Sequence, residues 1–358
     1  MNKNVLITGA SGFIGTHLIR FLLQKNYNVI AVTRQAGKTS DHPALQWVQK
    51  FEDISTRQID YVVNLAGANI GEKRWTESRK KQLIESRVNT TQKLYAWLKQ
   101  SQIFPEVIVS GSAIGYYGID AQEKWTEVCT EQSSPQPIFM SQLCQEWERA
   151  ALADAQQNTK IIRLGVVFGQ GGGILPKMLL PIRLNLVGQI GHGRQPVVWV
   201  HIEDVLNAIE FIFKYPQSAQ IHNVVAPENV TQKVFVEQAA KVLNKKPMLS
   251  APSTVFRCLL GEQSQLILNG QYVKPAALQA EGFEFAYPQL KMALEHIKVL
   301  NKKPMLSAPS TVFRCLLGEQ SQLILNGQYV KPAALQAEGF EFAYPQLKMA
   351  LENILASG

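Results

Sequence analysis

Gly9-Ala10-Ser11-Gly12-Phe13-Ile14-Gly15 is a G-x-x-G-x-x-G turn between an apolar run, Val5-Leu6-Ile7-Thr8, and a stretch in which Ile14, Leu18, Phe21 and Leu22 recur at helical spacing. A strand, a glycine turn and a helix in that order can hold a pyrophosphate. Gly9 lets the chain turn tightly off the strand, Gly12 lets backbone N–H groups approach the phosphates, and Gly15 lets the helix pack against the strand. The positive end of the helix then faces the anion. A glycine turn alone is a weak signal, and the strand before it and the amphipathic helix behind it give this one its weight.

A second run, Val29-Ile30-Ala31-Val32-Thr33, ends in Arg34, where an acid holding a ribose 2′-hydroxyl would otherwise stand. Arginine matches phosphate geometry, so this replacement implies NADP rather than NAD; a plain solvated cation is the alternative. Tyr61-Val62-Val63-Asn64-Leu65-Ala66-Gly67-Ala68 is a third buried-type strand, and its small terminal residues leave room for a cofactor across the strand ends. The residues expected on the dinucleotide are therefore Gly9, Ser11, Gly12, Phe13, Ile14, Gly15, Arg34, Leu65, Ala66 and Gly67.

These positions need a scaffold of alternating strands and helices. Strands are predicted near 4–8, 28–33, 44–49, 60–65, 106–112 and 160–164, with helices near 13–25, 77–100 and 138–155. That alternation predicts an α/β fold, a doubly wound parallel sheet of Rossmann type with ligands at its carboxyl edge. After Gly169 the pattern changes to a glycine loop, a helix over 174–186, a strand over 197–200, a helix over 201–215 and a strand over 221–225. The expected domains are 1–169 for the dinucleotide, with 197–225 returning to it, and a smaller C-terminal cap over the substrate from 170–196 and 226–297.

A chain of 358 residues with 46% hydrophobic content can bury a large core. No apolar run is long enough to span a bilayer, and the first strand begins too early to leave room for a signal peptide, which predicts a cytoplasmic protein without membrane partners. Its four cysteines, Cys129, Cys144, Cys258 and Cys315, have no metal-ligand spacing and are expected to be reduced thiols, with no metal bound. The net charge of +8 is spread without blocks, which suits an anionic cofactor and argues against nucleic acid.

Lys241–Ile297 recurs as Lys298–Ile354, with His296 against Asn353 the sole difference. Stacking repeats diverge at their surfaces and come in three or more units, whereas here even surface residues are identical. A duplication, or an error in gene assembly, explains 298–358 as a near-identical copy plus a tail. At the seam Leu290, Leu294, Ile297 and Leu300 keep helical spacing, which predicts one continuous helix.

Together with the glycine turn, Arg74-Trp75-Thr76, Ser86-Arg87-Val88, Ser112-Ala113-Ile114-Gly115-Tyr116-Tyr117-Gly118, Leu143-Cys144-Gln145-Glu146-Trp147-Glu148, Trp199-Val200-His201-Ile202-Glu203-Asp204 and Gly282-Phe283-Glu284-Phe285-Ala286-Tyr287-Pro288 resemble the extended short-chain dehydrogenase/reductase superfamily. Within it the chain is similar to the epimerase-like family with a small C-terminal domain of unknown function, over essentially residues 1–297. The resemblance implies Tyr-x-x-x-Lys acid/base chemistry with a positioning serine. Counting back from Glu148, this chain has Met140 and Cys144 at the tyrosine and lysine positions, so the usual pair is missing. Ser112, Tyr116 and Tyr117 are the remaining candidates for catalysis.

Other positions are less favourable. Cys144 reads as a small buried hydrophobe rather than a nucleophile, and His201 and Asp204 as helix capping plus a packed histidine rather than catalysts. Val197 and Val166 stand where the resemblance would place an arginine and an asparagine on a nucleotide-sugar pyrophosphate, which argues against that substrate. Arg194 and Lys177 could hold another anion. The expectation is an NADP-dependent oxidoreductase or epimerase-like enzyme, monomer or homodimer, acting on a small organic molecule. A non-catalytic dinucleotide-binding regulatory or scaffold protein, of the kind some relatives' division-related names suggest, is the alternative.

Overall fold

A computed structural model describes residues 2–300 except Met248. The chain divides into two units, Met1–Leu306 and Ser307–Gly358, and every described residue belongs to the first. Nearly all of the second copy lies outside the described residues.

Seven parallel strands form the main sheet: β1 (Asn4–Thr8), β2 (Asn28–Val32), β3 (Leu45–Val48), β4 (Tyr61–Asn64), β5 (Val107–Ala113), β7 (Thr159–Leu164) and β11 (Ile221–Val224), in the order β11-β7-β5-β4-β1-β2-β3. Side chains alternate across a strand, so both faces must be apolar. Val5 and Ile7 enter the layer under α1 (Phe13–Gln24) and α5 (Ile202–Lys214), where Leu18, Leu22, Val205 and Ile209 meet them. Leu6 enters the opposite layer with Leu94 and Leu98 of α2 (Glu77–Gln100) and Ala151 of α3 (Phe139–Ala151). The direction of winding reverses between β1 and β4, and a doubly wound sheet takes its ligand at such a point.

Three two-stranded pairs lie outside this sheet: β6 (Val128–Cys129) with β13 (Tyr272–Val273), β8 (Val166–Phe168) with β10 (Trp199–His201), and β9 (Val187–Ile190) with β12 (Leu249–Ala251). Of the two later strands predicted from sequence, β11 joins the main sheet and β10 does not. β10 instead lays Trp199 into a second core with Phe168 of β8.

That second core holds α4 (Leu175–Arg183), α6 (Gln232–Leu243) and α10 (Leu290–Leu300) through Leu179, Ile182, Phe235, Ala239, Leu290, Leu294 and Ile297. α10 runs across the seam between the copies, as its apolar spacing predicts. Helix α4 stops short of the expected 186 because Asn185 turns left-handed at φ +53°. The rest of 251–289 carries α7 (Ser253–Leu260), α8 (Gln265–Leu268) and α9 (Ala276–Ala280).

Candidate functional site

The turn after β1 is built by contacts that only glycine permits. Gly9 sits at φ +68°, and a methyl there would fall 2.6 Å from the carbonyl oxygen of Leu65 at the end of β4. A methyl on Gly15 would lie 2.4 Å from the Gly9 carbonyl oxygen, so α1 closes directly onto its own turn. Gly12 caps α1, no side chain takes up its first N–H groups, and no acid stands in the first turn. Those donors and the positive helix end remain open to an anion. Ser11 and Gly12 are exposed, whereas Phe13 and Ile14 are half-buried. The ring of Phe13 is turned to the glycine loop after β8, where methyls on Gly169, Gly172 and Gly173 would meet it at 2.5–3.1 Å. Phe13 therefore offers its backbone to the turn while its ring anchors that loop.

Arg34 is exposed just beyond β2. Thr33, Gln35, Lys38, Trp47 and Asp53 line an adjoining cleft of about 320 Å³, in which the Lys38 ammonium sits 3.9 Å from the Trp47 ring centroid. Sequence reasoning missed Lys38 and Trp47. The available signal was a second basic residue a few positions beyond the strand-end arginine.

At the end of β4, Asn64 knits the crevice together: it accepts from Thr8 Oγ1 at 2.6 Å and donates to Thr91 Oγ1 at 2.9 Å and Ser110 Oγ at 3.2 Å. Leu65 and Ala66 are half-buried beyond it, and Gly67 is exposed. The missing side chain of Gly67 makes room for a protein group, since a methyl there would lie 3.0 Å from Cζ of Arg87.

Ser112, Tyr116 and Tyr117 come together, but in a buried network rather than an open pocket. Ser112 is 2% exposed and donates to Glu148 Oε1 at 2.6 Å. Arg163 donates to both oxygens of Glu148 at 2.8 Å and, through Nη1, to the Tyr117 hydroxyl at 2.9 Å. Tyr117, 1% exposed, donates in turn to Asn223 Oδ1 at 2.6 Å. Burial pushes its phenol up to about 12, against the pull of Arg163. Its hydroxyl is thus committed on both sides, whereas Tyr116 is half-buried with its ring centroid 3.4 Å from the Arg163 guanidinium carbon.

Helix α3 presents Met140 and Cys144 to the same segment, at 3.5 and 3.9 Å from a methyl built on Gly115. Burial raises the Cys144 thiol to about 11, so it is a protonated packing group at neutral pH.

His201 caps α5, its Nδ1 accepting the N–H of Glu203 at 3.3 Å. That leaves the proton on Nε2, which faces Nδ1 of His296 at 3.5 Å. Glu203 completes a cluster whose ligand-type atoms lie within 4.8 Å of one another, but a cation on His201 Nε2 would have to displace that proton. Asp204 accepts from the N–H groups of Ala286 and Tyr287 at 2.7 and 3.1 Å and so ties α5 to the Phe283–Tyr287 stretch. Arg194 and Lys177 are exposed, and Val166 and Val197 are half-buried.

A glycine turn at the switch point of a seven-stranded parallel sheet, with a smaller C-terminal domain packed beside it, defines an extended short-chain dehydrogenase/reductase fold. The chain belongs to the NAD dependent epimerase/dehydratase family, whose model matches residues 5–226. A domain of unknown function, DUF1731, matches 251–297 and again 308–354. An epimerase family protein of Staphylococcus epidermidis is 36% identical over 300 residues, 82% of this chain and 99% of its own. One from Staphylococcus aureus is 34% identical over the same shares. The crystal structure of human epimerase family protein SDR39U1 (isoform 2) with NADPH superimposes with a TM-score of 0.75 at 32% identity, covering 82% of this chain and 98% of that one. MoeE5 in complex with UDP-glucuronic acid and NAD, at 22% identity and TM-score 0.62 over 81% and 96%, shares the fold. No helix among the described residues is long and apolar enough to cross a membrane.

Proposed function

We propose that this protein is an NADP-dependent oxidoreductase or epimerase-like enzyme that acts on a small organic molecule without a Tyr-x-x-x-Lys pair. The observation that carries this is the turn at Gly9–Gly15, closed so tightly that only glycine fits, with the first N–H groups of α1 left open beside it. The cradle suits a pyrophosphate, and Arg34 with Lys38 supplies two cations for a 2′-phosphate at the β2 end. The NADPH in the human relative supports the same cofactor.

When bound, the nicotinamide supplies or accepts a hydride. Here the chain's own residues bind the pyrophosphate at the turn, hold the end of β5 rigid through Ser112 and Glu148, and offer the Tyr116 hydroxyl as a group able to exchange a proton. Apolar Val166 and Val197 favour a substrate without a nucleotide diphosphate. Met140 and Cys144 at the acid/base positions favour a second reading, a dinucleotide-binding regulatory protein without turnover.

Turnover decides between the two. Protein saturated with NADPH, and separately with NADP, is followed by absorbance against a panel of carbonyl and hydroxyl compounds. Slow oxidation or reduction that disappears in Tyr116→Phe supports the enzyme. Tight cofactor binding with no turnover across the panel supports the regulatory reading.

A further inference from the structure

Arg87, on α2, is an inward-facing cation without an acid. Its Nη1 donates to the Leu83 carbonyl at 3.0 Å and its Nη2 to the Ala68 carbonyl at 3.1 Å, while its buried Nε–H has no acceptor. The Trp147 ring centroid lies 5.2 Å from its Cζ, and among the described residues no carboxylate forms an ion pair with it. Burial presses its pKa downward, the direction expected of an uncompensated charge. Arg163, the comparable cation on β7, has Glu148 at 2.8 Å. Arg87 is half-buried, and drawing a guanidinium inward with no countercharge is costly, so a site that uses the charge is a reason to bear it.

The location supports a use. Cζ of Arg87 fills the space left by Gly67 just past β4, and the Trp147 ring beside it covers Gly111 on β5, where a methyl would lie 3.1 Å from that ring. The sheet order fixes which half of a dinucleotide lies there. Arg34 marks β2 as the adenosine side, the turn at α1 marks β1 as the pyrophosphate, and β4 and β5 follow in the same direction. Position 144, where a lysine is missing, and Arg87 thus border the same place.

We propose that Arg87 is the resident cation of the nicotinamide half of the site and makes it favour the reduced, uncharged ring over the oxidised, positively charged one. This rests on the dinucleotide reading above. In an effective dielectric of about 20, a unit charge acting over about 10 Å changes the ratio of the two affinities by on the order of tenfold.

Binding of NADPH and of NADP is measured by calorimetry for the wild type, Arg87→Met and Arg87→Lys, with the thermal midpoint of each ligand-free protein alongside. The expected result is a wild type that prefers NADPH, an Arg87→Met variant whose two affinities converge, and an Arg87→Lys variant that keeps the preference. A mere tie between Leu83 and Ala68 would change the midpoint and both affinities together, leaving their ratio as in the wild type, and that outcome overturns the proposal. So does an Arg87→Lys variant that behaves like Arg87→Met. Failure of the wild type to bind either form would instead overturn the dinucleotide reading itself, and this inference with it.

Discussion

Glu148 on α3 grips Arg163 on β7 through two parallel hydrogen bonds of 2.8 Å, both side chains being almost wholly buried. Ser112, Tyr116 and Tyr117 are arranged around this pair, so the segment that sequence points to for catalysis is also a structural keystone. Glu148→Gln removes the acid and leaves a buried guanidinium uncompensated, with an expected cost of about 3–5 kcal/mol. Chemical denaturation measures this; a loss under about 1 kcal/mol would mean that the pair is far more hydrated than its burial indicates.

Ser112→Ala and Tyr117→Phe each delete a hydrogen bond to a charged partner inside the same network. Each should cost about 1.5–3 kcal/mol of stability while NADPH affinity is retained. Any turnover should fall more steeply in Tyr116→Phe than in Tyr117→Phe, because the Tyr117 hydroxyl is enclosed between Arg163 and Asn223. Equal kinetic losses in both tyrosine variants, without loss of stability, would return Tyr117 to the reacting group.

Much of this was legible beforehand. The glycine turn and the alternating apolar runs are local patterns, and they predicted the sheet and the placement of Gly9, Gly15 and Arg34. The burial of Ser112 and Tyr117 was not legible, because their partners Glu148, Arg163 and Asn223 lie 36 to 106 residues away and converge only through the pairing of β5, β7 and β11 and the packing of α3 against them. Arg87 could be read as part of a motif, but nothing in its neighbours showed that its head fills the gap at Gly67. The boundary of α4 was missed because one asparagine, Asn185, takes a left-handed conformation that periodicity does not report.

His201 and Asp204 make opposite contributions to the pH dependence of stability. Burial, and then the neighbouring His296 and His17, lower His201 from the ordinary 6.5 to about 3, so its contribution is present above pH 6.5 and is lost as pH falls towards 3. Burial raises Asp204 to about 6, against its bonds to Ala286 and Tyr287, so its contribution is lost as pH rises from the usual carboxylate range through 6. Tyr287 and Glu203 also face this cluster. His201→Asn keeps a capping acceptor and removes one of the two terms. The difference in thermal midpoint, wild type minus variant, should grow as pH rises from about 4 to 6.5; a constant difference would show that His201 titrates normally.

Among the described residues, Leu290, Leu294 and Ile297 are buried in a core with Leu179, Ile182, Phe235 and Ala239. Truncation after Leu300, at the end of α10, should therefore leave NADPH affinity and the unfolding midpoint close to those of the full chain. A truncated protein that fails to fold would show that residues beyond 300 belong to the core.

The most direct test of the central claim is a pair of equilibrium titrations with NADPH and NADH, on wild type and on Arg34→Asp. A charge-assisted phosphate contact at the end of β2 should make NADPH bind at least about tenfold more tightly than NADH in the wild type, and the substitution should reverse the order. Superimposable curves for the two cofactors in the wild type would contradict the assignment of this site to NADP.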